Sequence, residues 1–380
     1  MERFEAIYDD FQDDRLSCEE AAMILGCSVR HFLRLRERYD ERGLLSLKDG
    51  RVGSVSRSTS DAEVKRITKL YREKYDGFSI RHFHEFARRN HALKLGYTWT
   101  RKTLTGAGLV RPSKRGGPHR LRRPRRPMCG MMMHQDASKH KWFGEDYCDL
   151  VVTMDDATSE LTSAFFCHEE GTHSSFRGIG ETINKHGLFC SFYTDRGSHY
   201  FFTPVVGGKV DKSRPTEVGR ALKQLGIEHI AAYSPEARGR SERTFGTLQD
   251  RLVNELRLEK ITTMDAANRY LQDIYIPRHN DRFMVIPESG ISAFTPVAGF
   301  DIGNILCVQE ERVVAPDNTV HYLGKKLQIP PSPLRHHFVK AQVRVHHYSD
   351  DSMAIFHGPR EIGRYNPGGS LKQEENKIAA

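Results

Sequence analysis

The order of apolar segments between residues 131 and 259 constrains the fold more than any other feature. Five β-rich runs occur there, and helical patterns separate only the later ones. Strands close in sequence pair as antiparallel hairpins, whereas strands separated by helices pair in parallel. The pattern therefore predicts a mixed α/β sheet with helices packed on it. The predicted strands are Met131–Gln135, Tyr147–Met154, Thr162–Cys167, Leu188–Thr194 and Ile227–Tyr233, and the predicted helices cover residues 174–185, 216–225 and 241–259.

Two helical units precede this core, in residues 1–55 and 56–110. In the first, Ser17 and Glu20 form a capping-box pattern, Gly26 ends the helix, and a basic helix follows. This plan is typical of helix-turn-helix proteins, whose second helix enters the DNA major groove. A helical hairpin with a solvated basic face is the alternative. The candidate DNA-binding residues here are Arg30, Arg34, Arg101 and Lys102.

Much of the formal net charge of +9 falls in the basic linker, residues 111–128, which holds eight Lys or Arg and no acid. Like charges and prolines keep such a segment extended. It can serve as a solvated linker or as a strand that neutralises DNA phosphates, and we expect both roles. The candidate phosphate contacts are Arg122, Arg123, Arg125 and Arg126.

The remaining segments set the domain plan and the cellular context. Short strands and turn signals over residues 301–365 predict a small β-barrel after a core at 129–300, with a disordered tail at 366–380. Seven cysteines without a CxxC pair, no long apolar run and no signal-like start predict a cytoplasmic protein with no membrane contact. No P-loop and no nucleophile elbow occurs, so we expect no nucleotide cofactor and no acyl transfer.

Three carboxylates stand where such a sheet could bring them together. Asp136 follows the first core strand, Asp195 follows the fourth, and Glu242 opens the long last helix. If the first and fourth strands are neighbours, the two aspartates meet at one sheet edge, and a helix across that edge can present Glu242. Clustered carboxylates favour a hard cation such as Mg²⁺. Two ions about 3.5–4 Å apart support in-line displacement at a phosphodiester.

Other acids compete for these roles. Glu236 is an alternative third acid, and Asp146 and Asp149 are alternatives to Asp136. Asp155 and Asp156 follow the second strand, where aspartate often caps a hairpin turn, and we interpret them as that turn.

Motifs around two of the carboxylates resemble a known group. They are Thr194-Asp195-Arg196-Gly197-Ser198, Tyr233-Ser234-Pro235 and Gly239-Arg240-Ser241-Glu242-Arg243-Thr244-Phe245. With them, residues 10–300 resemble the integrase-type DDE transposases of bacterial insertion sequences, in particular the group called ISNCY. The 46 residues between Asp195 and Glu242 exceed the usual separation in that group, and residues 202–215 look like an inserted loop.

The resemblance implies a function and its requirements. It implies an RNase H-like core with Asp136, Asp195 and Glu242 as catalytic and metal-binding residues, and two Mg²⁺ or Mn²⁺ ions per site. It implies recognition of double-stranded terminal inverted repeats by the N-terminal helices, strand transfer to target DNA, and a homo-oligomer on DNA at the bacterial nucleoid. Arg243 matches the family's basic residue after the glutamate, and Arg240 is a further DNA-binding candidate.

Two other functions stay open. The chain could be a sequence-specific DNA-binding protein that kept the fold and lost catalysis, although all three carboxylates are present. It could also be a nuclease acting on RNA–DNA hybrids, but the basic N-terminal helices are not needed for that activity.

The phosphate-binding role of the basic linker is testable. Replacing Arg122, Arg123, Arg125 and Arg126 with alanine should flatten the salt dependence of duplex binding by about 0.9 in log–log slope for each lost phosphate contact. Fluorescence anisotropy titrations over a range of salt concentrations measure this slope. An unchanged slope would identify the segment as a plain linker.

Overall fold

The chain forms two compact units, Met1–Ile67 and Thr68–Ala380. The structure is a computed structural model that describes residues 2–47, 59–111, 123–205, 208–233, 239–333 and 335–372. Arg122 and Glu236 lie outside these residues, as do most of the basic linker and residues 373–380 of the predicted tail. No helix in the described ranges is long and apolar enough to cross a membrane.

The first unit is a cluster of short helices. They are α1 (Glu2–Gln12), α2 (Cys18–Leu25) and α3 (Val29–Arg42), followed by a 3-10 turn at Leu44–Leu47. Ser17 and Glu20 form the expected capping box, and Gly26 ends α2 with a left-handed φ of 67°. Phe32 on α3 is fully buried against α1 and α2, which leaves Arg30 and Arg34 exposed. The helices match the sequence prediction; groove binding by α3 remains a prediction.

Three further helices precede the sheet: α4 (Asp61–Lys74), α5 (Ile80–Asn90) and α6 (Tyr97–Gly106). Edge-to-face aromatic contacts hold the end of α4 and the residue after it to α5, through Tyr71 with Phe83 and Tyr75 with Phe83. Leu104 buries the inner face of α6, so Arg101 and Lys102 lie on its exposed side.

The central element is a five-stranded mixed sheet in the order β3-β2-β1-β4-β5. β1, β2 and β3 pair antiparallel, whereas β1, β4 and β5 pair in parallel, as the spacing of the runs predicts. The elements in chain order are β1 (Met133–His140), β2 (Cys148–Asp155), β3 (Leu161–Cys167), α7 (Thr172–His186), β4 (Ser191–Thr194), α8 (Glu217–Gln224), β5 (Glu228–Ala231) and α9 (Gly239–Leu258).

Helices cover both faces of the sheet. α7 and α8 bury one face, with Met133 and Phe192 from the strands in that core. α9 covers the other face together with α10 (Met264–Tyr270), a π-helical turn (Leu271–Tyr275) and α11 (Ile276–Phe283). Side chains of β2 at alternate positions, among them Val152, belong to this second core because successive strand residues point to opposite faces.

The C-terminal strands do not close into the predicted barrel. Among the described residues they form an open antiparallel sheet in the order β11-β10-β9-β6 and a separate hairpin of β7 and β8. The two edges, β6 and β11, do not pair, and the hairpin shares one apolar core with the sheet. The strands are β6 (Val308–Val313), β7 (Thr319–Tyr322), β8 (Lys325–Gln328), β9 (Gln342–His347), β10 (Met353–His357) and β11 (Arg360–Tyr365).

Close approach of α7 to the sheet requires glycine at position 178. A Cβ there would lie 2.2 Å from Gln135 Nε2 and 2.8 Å from Thr153 Oγ1, both buried. Gly178→Ala should therefore lower the free energy of unfolding by roughly 1–3 kcal/mol. Gly246→Ala is the matched control: position 246 is exposed in α9 with no heavy atom within 4 Å of the added Cβ, and alanine there should stabilise by about 0.5–1 kcal/mol. Urea unfolding of both variants measures the two effects, and a loss of equal size in both would refute the packing argument.

Candidate active site

Asp136 lies in the middle of β1 and not beyond its end. Pairing of residues 137–140 with residues 148–151 of β2 extends the strand past the run visible in the sequence. The expectation that Asp136 follows the strand is therefore wrong. Asp136 pairs with Val152, which packs against α9, so the Asp136 side chain is on the α9 side of the sheet.

Asp195 is brought beside Asp136 by the parallel pairing of β1 with β4. The register joins Met133 to Phe192 and His134 to Tyr193, and continuing it by two residues sets Asp195 level with Asp136. β1 and β4 are thus neighbours, the condition on which the sequence argument depended. The Asp195 carboxylate accepts a hydrogen bond of 2.8 Å from the Gly197 amide, which orients it in the turn after β4.

The pKa of Tyr200 is affected by both aspartates. Tyr200 is buried beside β1, and its hydroxyl donates to Gln135 Oε1 at 2.9 Å. Burial raises the pKa of Tyr200 well above its ordinary value, and the negative charges of Glu170, Asp195 and Asp136 add to the rise. One buried phenol therefore experiences the charge of both candidate metal ligands.

Glu242 is exposed in the first turn of α9, and two contacts orient that helix over β1. Arg240 binds Asp156, and Gln249 Nε2 donates to Ser138 Oγ at 3.1 Å. Glu242 precedes Gln249 by two helical turns and shares its face. Because Ser138 follows Asp136 by two residues on the same strand face, α9 crosses the edge that carries the aspartates.

The three carboxylates do not form one ligand set in the structure. Within the described ranges, no group of three or more His, Cys, Asp or Glu side chains could hold a metal ion. Extending the β1–β4 register puts Asp136 and Asp195 at level positions, and α9 packs over the same face of β1. It does not bring Glu242 into a common coordination sphere with them.

The competing acids have structural roles or other positions. Asp149 accepts from the Glu170 amide at 2.8 Å, and Asp146 is exposed between β1 and β2. Asp155 accepts from the amides of Thr158 and Gly130, both at 2.8 Å, which caps the β2–β3 turn.

Asp156, interpreted from the sequence as part of the β2–β3 turn, is instead the centre of a buried polar cluster. Its side chain is completely buried and accepts hydrogen bonds from His134 Nε2 at 2.7 Å and from the Arg126 amide at 2.8 Å. The guanidinium groups of Arg123 and Arg240 bind the same carboxylate. Asp155 alone caps the turn. The presence of a second aspartate next to it, with no turn to cap, is the one sequence feature that could have indicated the cluster.

This Asp156 cluster fastens the end of the basic linker to the start of α9. Arg125 Nη1 donates to the carbonyl of Asp156 and to Ser159 Oγ, both at 2.8 Å, and Arg240 Nη2 donates to the Arg123 carbonyl at 2.6 Å. Arg123, Arg125 and Arg240 therefore have partners inside the protein.

The other candidate DNA contacts remain on the surface. Arg126 is exposed at the end of the linker, and Arg243 is exposed one residue after Glu242. Together with the exposed side chains of α3 and α6 described above, they are available to a phosphate backbone.

The charge of the Asp156 cluster is unusual for a buried site. Burial disfavours ionisation of Asp156, but the hydrogen bond from His134 and the positive charge of Arg240 outweigh it and hold the pKa of Asp156 well below its ordinary value. Burial lowers the pKa of His134, so at neutral pH it donates as a neutral imidazole. The cluster therefore keeps an ionised carboxylate between two arginines.

Two curated proteins are similar to this chain over much of its length. One is y4bF of Sinorhizobium fredii strain NGR234, which carries a provisional transposase assignment; it is 29% identical over 348 residues, 90% of this chain and 76% of the relative. The other is the transposase for insertion sequence IS1202 of Streptococcus pneumoniae, 27% identical over 301 residues, 70% of this chain and 64% of the relative. The chain thus spans about three quarters of one relative and slightly under two thirds of the other. No protein-family model matches it.

Solved structures with a similar arrangement are retroviral integrases. The catalytic core domain of HTLV-2 integrase is 16% identical, with 39% of this chain and 89% of that chain covered and a TM-score of 0.30. A simian T-cell lymphotropic virus intasome is 16% identical, with 81% and 98% covered and a TM-score of 0.33. Identities and TM-scores this low do not establish a shared fold, so the fold is assigned from the order and direction of the strands. The sequence relatives confirm the resemblance to transposases of insertion sequences.

The Asp156 cluster predicts a pH-dependent stability. Since its folded pKa is lowered, ionised Asp156 stabilises the fold above its unfolded pKa of about 3.9, and this contribution is lost as pH falls below that value. Asp156→Asn should cost roughly 3–5 kcal/mol at neutral pH, and its difference from the wild type should narrow below about pH 4. Denaturant unfolding at several pH values measures this, with exposed Asp146→Asn as control. A loss that does not change with pH would contradict the assignment.

Proposed function

We propose that this chain, which resembles transposases of bacterial insertion sequences, is a DNA transposase with an RNase H-like core. Its catalytic carboxylates are Asp136, Asp195 and Glu242. The observation that carries the proposal is the level placement of the two aspartates on adjacent parallel strands beneath α9, the helix that presents Glu242.

The donor set fits divalent metal ions. Carboxylate oxygens are the ligands that Mg²⁺ and Mn²⁺ prefer, and adjacent aspartates repel each other unless a cation lies between them. Asp136, Asp195 and Glu242 would hold two such ions. When bound, the ions supply activation of the attacking oxygen and stabilisation of the leaving oxygen.

The remaining residues of the site position these carboxylates and the DNA. The Gly197 amide orients Asp195, and the Asp156 cluster fixes the turn of α9 from which Glu242 projects. Exposed Arg243 contacts a backbone phosphate next to the scissile bond. Water attacks the phosphorus at the element end and displaces the 3′-oxygen, which leaves as a 3′-hydroxyl. That hydroxyl then attacks a phosphorus of the target DNA and displaces the target strand's own 3′-oxygen.

The partners follow from the exposed basic helices. α3 and α6 recognise double-stranded terminal inverted repeats through Arg30, Arg34, Arg101 and Lys102. The protein acts as a homo-oligomer on DNA at the bacterial nucleoid. Arg123, Arg125 and Arg240, which bind partners inside the protein, stabilise the site.

One observation favours the alternative of a catalytically silent DNA-binding protein. The described side chains form no assembled three-carboxylate group. A silent protein would keep the N-terminal helices and the basic linker, bind the terminal repeat, and leave it uncut.

Two aspartate variants separate these functions. Asp195→Asn keeps the side-chain shape and removes its charge, so it should abolish Mg²⁺-dependent cleavage of a duplex carrying the element's terminal repeat while leaving the binding affinity within about twofold. Asp146→Asn, a matched change at an exposed acid, should cleave like the wild type. Gel assays of cleavage and anisotropy of binding read out both properties.

Each other outcome has a defined meaning. Cleavage by Asp195→Asn at the wild-type rate would remove Asp195 from the site. Binding without cleavage by the wild type, in both Mg²⁺ and Mn²⁺, would establish the silent DNA-binding function.

A further inference from the structure

A cavity of about 480 Å³ opens between α5, α9 and α11, away from the carboxylates. Its lining is rich in guanidinium groups. Five arginines line it against three acids, which leaves a formal surplus of two positive charges. The arginines are Arg88, Arg89, Arg251, Arg278 and Arg282, and the acids are Glu85, Glu255 and Asp281.

Two of the acids are already neutralised by fixed partners. Arg251 makes a two-pronged pair with Glu85 at 2.8 and 3.0 Å, and Arg282 binds the same carboxylate. Glu255 accepts from His82 Nε2 at 2.9 Å and from Tyr270 at 2.7 Å, and Arg278 Nη1 lies 3.8 Å from the same carboxylate. These bonds tie α5 to α9 and build a rigid floor, so the cavity does not depend on mobile side chains.

Three buried polar atoms in the wall have no hydrogen-bond partner among the described residues. They are His82 Nδ1, Tyr275 Oη and His279 Nδ1, on side chains that are 0%, 3% and 6% exposed. Buried polar groups are nearly always paired in folded proteins, so the wall holds hydrogen-bonding capacity that no described protein group uses. Burial lowers the pKa of His279 to about 4, so this ring is neutral at physiological pH and can donate a hydrogen bond without adding charge.

The cavity is continuous with the surface that carries Glu242. A second cavity of about 580 Å³ is lined by Glu242, Arg243 and Arg81, and it shares Arg251 and Phe283 with the first. Glu242 and Arg251 are nine residues apart on α9, about 14 Å along the helix axis. That length corresponds to about four base-pair steps of DNA.

We propose that the cavity between α5, α9 and α11 binds a backbone phosphate of the DNA strand that is cut at the carboxylates. This inference rests on the proposed function and adds a second DNA-binding site to the one at the carboxylates. Arginine forks match phosphate oxygens in pairs, so the guanidinium groups that line the cavity can bind a strand phosphate. Arg88, exposed at the rim, supplies positive charge that attracts the strand, and half-exposed Arg278, whose pair with Glu255 is long at 3.8 Å, adds to it.

The test compares rim arginines with an arginine outside the cavity. The full chain is prepared as wild type, Arg88→Gln, Arg88→Gln/Arg278→Gln and the control Arg269→Gln, an exposed position on α10 that does not line the cavity. Arg88 makes no hydrogen bond or ion pair within the described residues, so Arg88→Gln should leave the fold intact, and thermal melting checks this. Binding to the terminal-repeat duplex is measured across salt concentrations.

The double variant should lose about 0.9 of log–log salt slope, the amount for one duplex phosphate, and Arg88→Gln should lose part of it. Arg269→Gln should keep the wild-type slope. A double variant whose slope equals that of Arg269→Gln would overturn the proposal.

A second arm distinguishes a DNA phosphate from a free one, since both present the same oxygens. Isothermal titration calorimetry with inorganic pyrophosphate measures phosphate binding to the cavity in the absence of DNA. Saturable binding that Arg88→Gln/Arg278→Gln abolishes, together with an unchanged DNA slope, would assign the cavity to a free phosphate and overturn the DNA assignment. The salt dependence of binding is measured without cleavage. A wild-type protein that binds DNA but never cuts it would therefore refute the proposed function, while the salt slopes of the variants would still test the cavity.

Discussion

The parallel pairing of β1 with β4 is the contact on which the candidate site depends. Two backbone pairs, Met133 with Phe192 and His134 with Tyr193, set the register that makes Asp136 and Asp195 level. A shift of one residue would move one aspartate to the opposite face of the sheet, because strand side chains alternate. The two cores hold this register: Met133 and Phe192 pack beneath α7 and α8, while β2 packs under α9.

The Asp156 cluster gives the linker a structural role beside the site. A single buried carboxylate joins the β2–β3 turn, His134 of β1, the last residues of the linker and Arg240 of α9. Because Arg240 lies two residues before Glu242, the cluster positions the turn of α9 that carries the third candidate carboxylate.

Local patterns in the sequence predicted local structure well. The capping box at Ser17 and the order of strands and helices depend on neighbours in the chain, and both were confirmed. Failures came from long-range contacts. The extension of β1 past Asp136 requires β2, the partners of Arg123 and Arg125 lie some thirty residues away around Asp156, and barrel closure required β6 to meet β11. No periodicity within one segment encodes such pairings.

The most direct test of the account is whether one metal site touches all three carboxylate segments. Fe²⁺ can replace Mg²⁺ at carboxylate ligands, and with ascorbate and peroxide it cuts the polypeptide next to where it binds. In the full chain, we predict cuts near Asp136, Asp195 and Glu242, all suppressed by excess Mg²⁺ and by Asp195→Asn. Cuts at the two aspartates without one near Glu242, or cuts elsewhere that Mg²⁺ does not suppress, would contradict the assignment of the three residues to one site.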